Sequence, residues 1–125
     1  MVKRSSKKVS PALDEIKERI LQEPIVHYDE TGTKVNGIAN WVHEVCTKAL
    51  TLLKICSKRG SKGMDEIKII PELISILVHD CWSPYFKYDN MKHTLCNAHI
   101  LREPGRSRNW NLIMNGPSGW GISFV

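Results

Sequence analysis

Apolar positions recur at helical spacing in the first part of the chain and change to a strand-like pattern at residue 25. Leu13, Ile16 and Ile20 share one helical face, while Lys17, Glu18 and Arg19 fall away from it. Ser10-Pro11 reads as the helix start, with Ser as N-cap and Pro at the first helical position. Pro24 disfavours a helical Glu23, so the helix is predicted to stop near Leu21 or Gln22. Residues 25–35 read as a strand, with a bulge or bend predicted at Gly32. Asn36-Gly37 is a strong hairpin signal, because a type I′ turn needs positive φ at both positions. Residues 38–46 then return antiparallel. A regular ladder from this turn sets Asp29 opposite Glu44, two like charges that destabilise the pair unless a cation or solvent lies between them. A bulge at Gly32 breaks that register, so Glu44 is given no ligand role.

After the connection at Thr47-Lys48, residues 49–56 read as a third strand. Residues 57–63 form a basic, glycine-containing loop carrying Lys58, Arg59 and Lys62. A short helix is predicted over 64–70, with Met64, Ile67 and Ile70 inward and Pro71 ending it. Residues 74–78 have almost no polar alternation and suit a central strand covered on both faces. Trp82, Pro84, Tyr85 and Phe86 make an aromatic turn, and residues 92–102 are predicted to be a second helix. Three antiparallel strands followed by helix, strand and helix imply an α/β fold with a mixed sheet. Asp29 lies on the first strand and Asp80 at the end of the fourth.

The chain of 125 residues fits one domain, with 42% hydrophobic and 25% charged residues, as in ordinary globular proteins. Its net charge of +5 fits a nucleic-acid partner, although many proteins are as basic. No apolar run approaches a membrane span. The basic start (Lys3, Arg4, Lys7, Lys8) has no apolar segment behind it, so no secretory signal is expected. Four cysteines without a CxxC pair suit a reducing cytoplasm.

Two carboxylates on one sheet can hold Mg²⁺ while substrate phosphate oxygens complete its shell. Isolated aspartates at strand ends are more often turn formers, so spacing alone is weak support. The segments around them add more. His27-Tyr28-Asp29-Glu30-Thr31-Gly32, Val35-Asn36-Gly37 and Trp41-Val42-His43 resemble the first acidic motif of the insertion-sequence-66 family of bacterial DDE transposases. Lys58-Arg59-Gly60, Met64-Asp65, Leu77-Val78-His79-Asp80-Cys81-Trp82 and Pro84-Tyr85-Phe86 continue the resemblance in order. Leu95-Cys96-Asn97-Ala98-His99-Ile100-Leu101-Arg102-Glu103 closes it.

The resemblance implies an RNase H-like fold, cut-and-join chemistry on transposon-end DNA, and Mg²⁺ or Mn²⁺ as cofactor. It implies that Asp29 and Asp80 are the first two acids of a metal-binding triad. Cys96 and His99 match the family's Cys-x-x-His motif, read as a local brace. Zinc is rejected there, because such a site needs four ligands. His27 and His79 are placed to orient the acids from behind, or are ordinary strand histidines. Glu30 follows Asp29 directly, points to the other face and is read as structural. Lys58, Arg59 and Lys62 are candidate DNA contacts, or a solvated turn.

The family's third acid is a glutamate farther downstream, which the sequence to Val125 does not reach; Glu103 is not that residue. Residues 104–125 contain no acid, and Pro104-Gly105 breaks the helical pattern expected there. Another reading frame through the last residues gives a more helical pattern, so a frameshifted tail is expected. The chain is thus read as 1–23 N-terminal helix and basic arm, 24–103 partial catalytic core and 104–125 aberrant tail. The expected function is a transposase fragment inactive alone. The alternatives are a DNA-binding or dimerising fragment that interferes with a full-length transposase, and a non-functional gene remnant.

Overall fold

The computed structural model describes the backbone of residues 2–96 and 123–124, and the side chains of residues 5–96. Helix α1 (Val2–Gln22) leads into β1 (Ile25–Val35), β2 (Ile38–Cys46) and β3 (Thr51–Cys56). Helix α2 (Ser61–Ile67), a 3-10 turn at Ile70–Glu72 and β4 (Ile76–His79) follow, then a 3-10 turn at Ser83–Lys87. Strands β5 (Lys92–Leu95) and β6 (Ser123–Phe124) close the sheet, whose order is β3-β2-β1-β4-β5-β6. β1, β2 and β3 pair antiparallel, whereas β4 joins β1 in parallel and β5 and β6 continue that direction. This is the mixed α/β sheet of an RNase H-like fold, with the three antiparallel strands and the following helix and strand in the expected order.

The hairpin forms at Asn36-Gly37, where φ is 51° and 78°, as a type I′ turn demands. Pairing continues from Val35↔Ile38 to His27↔Cys46 without interruption, through Gly32↔Trp41. The predicted bulge at Gly32 is therefore absent. The exposed outer part of the hairpin accepts a glycine as an ordinary ladder residue.

The core lies on one face of the sheet. Val26, Tyr28, Val45, Leu52 and Leu77 meet Met64, Ile67, Ile69, Ile70 and Leu73 there. Alternation along β1 buries Val26 and Tyr28 and leaves Ile25 and His27 on the opposite face, which Asp29 shares. From α1, Ile20 is fully buried and Ile16 and Leu21 pack against the same core.

Several element boundaries differ from expectation: β3 begins at Thr51 instead of residue 49, and β4 spans Ile76–His79 instead of 74–78, leaving Ile74 exposed ahead of the sheet. Helix α1 starts at Val2 and runs through Pro11, which lies inside it. The Lys- and Arg-rich residues ahead of Pro11 have good helix propensity, so one missing N–H does not end the helix. The basic stretch, read as a helix end or an arm, is thus part of the helix. Helix α2 starts three residues earlier than predicted and ends at Ile67, because Lys68 turns to the left-handed conformation at φ 60°. The residues expected inward, Met64, Ile67 and Ile70, are all buried.

The predicted helix over 92–102 is contradicted at its start. Residues 92–95 pair with β4 as a parallel strand, from Ile76↔Lys92 to His79↔Leu95. His93, Thr94 and Leu95 are all buried, which a one-sided helical reading does not anticipate. The remainder of that helix, and nearly all of the 104–125 tail, lie outside the described residues.

Candidate active site

Asp29 and Asp80 come together through the β1/β4 register. The parallel ladder pairs Ile25↔Ile76, Val26↔Leu77 and His27↔Val78. Two residues further, just past the end of β4, the same offset brings Asp80 level with Asp29 and on the same face. Both line an open cavity of about 130 Å³, together with His27, Glu44, Cys46 and Cys96. They also border a neighbouring cleft of about 60 Å³ with Glu30, Arg59, Trp82 and Tyr85.

Each carboxylate is oriented by backbone. The Glu30 N–H donates to Asp29 Oδ1 at 2.9 Å, and the Trp82 N–H donates to Asp80 Oδ1 at 3.0 Å. The second bond closes an Asx-type turn, and Cys81 within it has φ 71°. The field of the acids reaches their neighbours. The Tyr85 phenol is raised by burial and then by Asp80, Tyr28, Asp29 and Glu30. The Cys46 thiol is raised by burial and then by Glu44 and Asp29.

Behind the acids lie two buried polar networks. In the first, Glu30, only 4% exposed at its side chain, accepts from the Gly60 N–H at 3.0 Å and from Arg59 Nε at 3.3 Å. Tyr28 Oη and His43 Nδ1 are hydrogen-bonded at 2.9 Å beside it. Burial lowers the His43 pKa, with Glu30 and the Lys58 carbonyl opposing that shift. Arg59 lies over the Trp82 ring, 4.7 Å from its centroid. In the second network His79 and His93 meet at 2.9 Å, and His79 stacks on Tyr85 with centroids 4.4 Å apart. Burial and the His93 beside it push His79 down to about 3.

The structure brings His27, Asp29, His79, Asp80 and Cys96 to one cavity. His27 is exposed. His79 bonds His93 and the Cys81 backbone N–H. His99 lies outside the described residues. Of the basic loop, Arg59 borders the acids, whereas Lys58 pairs with Glu66 at 2.8 Å and Lys62 is exposed on α2. Glu44, set aside in the sequence because of the expected bulge, stands opposite Asp29 and lines the same cavity. The role of Glu30 as the anchor of Arg59 also escaped the sequence reading; the adjacency of acid and basic motif gives no hint of their pairing across 29 residues.

Among the described residues no three His, Cys, Asp or Glu side chains converge as a metal-binding group. Two hard carboxylate oxygens are nonetheless a suitable set for Mg²⁺ or Mn²⁺, which bind through one or two carboxylates plus water and substrate phosphate. Residues 1–108 match the family described as Transposase IS66 family. The chain belongs to the IS66 transposase family. No curated protein and no solved structure matches it significantly. Membership in the IS66 family ties the chain to DNA transposition and to a DDE-type domain that typically uses divalent metal. Among the described residues, no helix is long and apolar enough to cross a membrane.

Proposed function

We propose that Asp29 and Asp80 are the metal-holding acids of a transposase catalytic domain acting on transposon-end DNA in the cytoplasm. The observation that carries this reading is that both aspartates, level across β1 and β4, line the same cavity. Asp29 and Asp80 would hold a divalent ion there, which would neutralise charge at a phosphodiester during strand cleavage. Asp29 and Asp80 present oxygen donors with orientations held by the Glu30 and Trp82 amides. Arg59, clamped between Glu30 and Trp82 at the rim, meets the DNA phosphate next to the acids, and Lys62 extends the contact along the backbone. Lys58, tied to Glu66, contributes charge more than a direct bond.

The two acids alone bind metal without cleaving DNA, and turnover needs a third carboxylate or an oligomeric partner such as a full-length transposase. Incubating the purified chain with transposon-end DNA and Mg²⁺ or Mn²⁺ tests this reading. The expected result is salt-sensitive binding without nicking. Nicking that disappears in Asp29→Asn would show the chain to be active on its own.

A second reading, a non-catalytic DNA-binding or dimerising fragment that interferes with a full-length transposase, is favoured by the position of Arg59 in reach of solvent beside the acids. It predicts DNA binding that survives Asp29→Asn and Asp80→Asn but weakens in Arg59→Ala.

A further inference from the structure

Three hydrogen bonds in series run from the turn after Asp80 through β5 to the Tyr88 carbonyl. The Cys81 N–H points at His79 Nδ1, 3.1 Å away. His79 Nε2 meets His93 Nδ1 at 2.9 Å, and His93 Nε2 meets the Tyr88 carbonyl oxygen at 2.7 Å. The two ends fix the direction of the whole chain. A carbonyl oxygen only accepts, so His93 Nε2 carries a proton and donates. A backbone N–H only donates, so His79 Nδ1 is bare and accepts. The bond between the rings then has one consistent arrangement, with His79 Nε2–H donating to a bare His93 Nδ1. A doubly protonated His93 would require a proton acceptor at His79 Nε2, and that would place a proton on His79 Nδ1 against the Cys81 N–H. Both rings are therefore neutral and of the same Nε2–H tautomer.

We infer that His93 is a positioning residue that, acting through His79, fixes the backbone turn carrying Asp80. The relay holds the Cys81 amide, and Cys81 is one of only three non-glycine residues with positive φ among those described. Such a conformation persists where surrounding bonds over-determine it. The next amide, Trp82 N–H, is the one that orients Asp80 Oδ1. Both imidazoles are at most 3% exposed and are enclosed by Tyr85 and Phe86, so the rings have little room to rotate. The Cys96 N–H, which donates to the His79 carbonyl at 2.8 Å, ties the same strand end to β5 by a second route.

The consequence for metal uptake rests on the proposed role of Asp80. Outer groups that orient metal ligands typically change affinity about tenfold or more when removed. Histidine-labelled full-length chain, followed by nitrogen NMR and by Mn²⁺ titration, tests the inference. Both rings are expected to show a protonated Nε2 and a bare Nδ1. His93→Leu should shift the Cys81 and Trp82 amide signals and weaken Mn²⁺ binding about tenfold. His93→Asn, whose Oδ1 can stand where Nδ1 accepts from His79 Nε2–H, keeps the bond that reaches the turn and should restore both. A wild-type His79 that carries its proton on Nδ1 overturns the inference, whether or not the Leu variant folds. So does a folded Leu variant with unchanged Cys81 signals. If wild type takes up no Mn²⁺ while His93→Leu still moves those amides, the metal reading fails and the relay stands.

Discussion

Glu44 stands directly opposite Asp29 across β1 and β2, and the two share a cavity with Asp80. Like charges at opposed positions destabilise a sheet by roughly 0.2–1 kcal/mol. Glu44→Gln is therefore expected to raise the thermal midpoint of the metal-free protein slightly. The same change removes negative potential from the cavity and should weaken Mn²⁺ binding. A lowered midpoint would show that Glu44 makes favourable contacts that outweigh the repulsion.

This pairing was nearly legible in the sequence. Asn36-Gly37 fixes the turn type, and the turn fixes the ladder. The single error was to treat Gly32 as a bulge, since an isolated glycine in a strand signals either a bulge or a tolerated gap in packing. A mixed sheet followed from an apolar run after Pro71 and a crossover helix, whereas the placing of β4 beside β1 rested on the resemblance that pairs Asp29 with Asp80. Strand β5 was not legible, because His93 is buried by hydrogen bonds to His79 and Tyr88 that are invisible in a linear pattern. The Glu30–Arg59 pair was hidden for the same reason: strand alternation places Glu30 on the far face but not the partner that waits there.

Glu30 offers the next prediction. Its carboxylate is buried and bonded to the Gly60 amide and the exposed Arg59. Glu30→Gln keeps an acceptor for Gly60 but loses the charge-assisted bond. Because Arg59 is solvent-screened, the expected cost is about 1 kcal/mol, measured by urea unfolding. DNA affinity should fall with it, as Arg59 loses its anchor over Trp82. Arg59→Ala should lower the slope of log affinity against log salt by about one and, because it leaves the buried Glu30 carboxylate without its charged partner, should cost at least as much stability as Glu30→Gln.

Gly63 packs where a side chain does not fit. A Cβ there would meet the Lys58 carbonyl oxygen and would approach His43 Nε2 to 2.9 Å. Gly63→Ala is expected to cost about 1–3 kcal/mol, as overpacking in a closed core does, and to lower the thermal midpoint by several degrees. An unchanged midpoint would mean that the loop before α2 yields readily.

Stability should also depend on pH through His43 and His93. Burial holds both below the usual value of 6.5. His43 faces Tyr28 and Glu30 from β1 and the Lys58 carbonyl, and His93 faces His79 from β4 and the Tyr88 carbonyl. In the unfolded chain these rings take up protons as pH falls through about 6.5, while the folded protein resists protonation. Their contribution is thus complete above that pH and is lost as pH falls toward the lowered folded values. The thermal midpoint should drop between pH 7.5 and 5, and His43→Gln should flatten part of that slope. A midpoint that rises on acidification would reverse the sign of this argument.

The most direct test of the central claim, that Asp29 and Asp80 jointly hold a divalent ion, is a Mn²⁺ titration of wild type, Asp29→Asn, Asp80→Asn and the double variant, read by the loss of free-ion paramagnetic signal. Shared coordination predicts that either single change removes most of the affinity and that the double change adds little more. Uptake by wild type that both single variants retain, or losses that simply add, would contradict it.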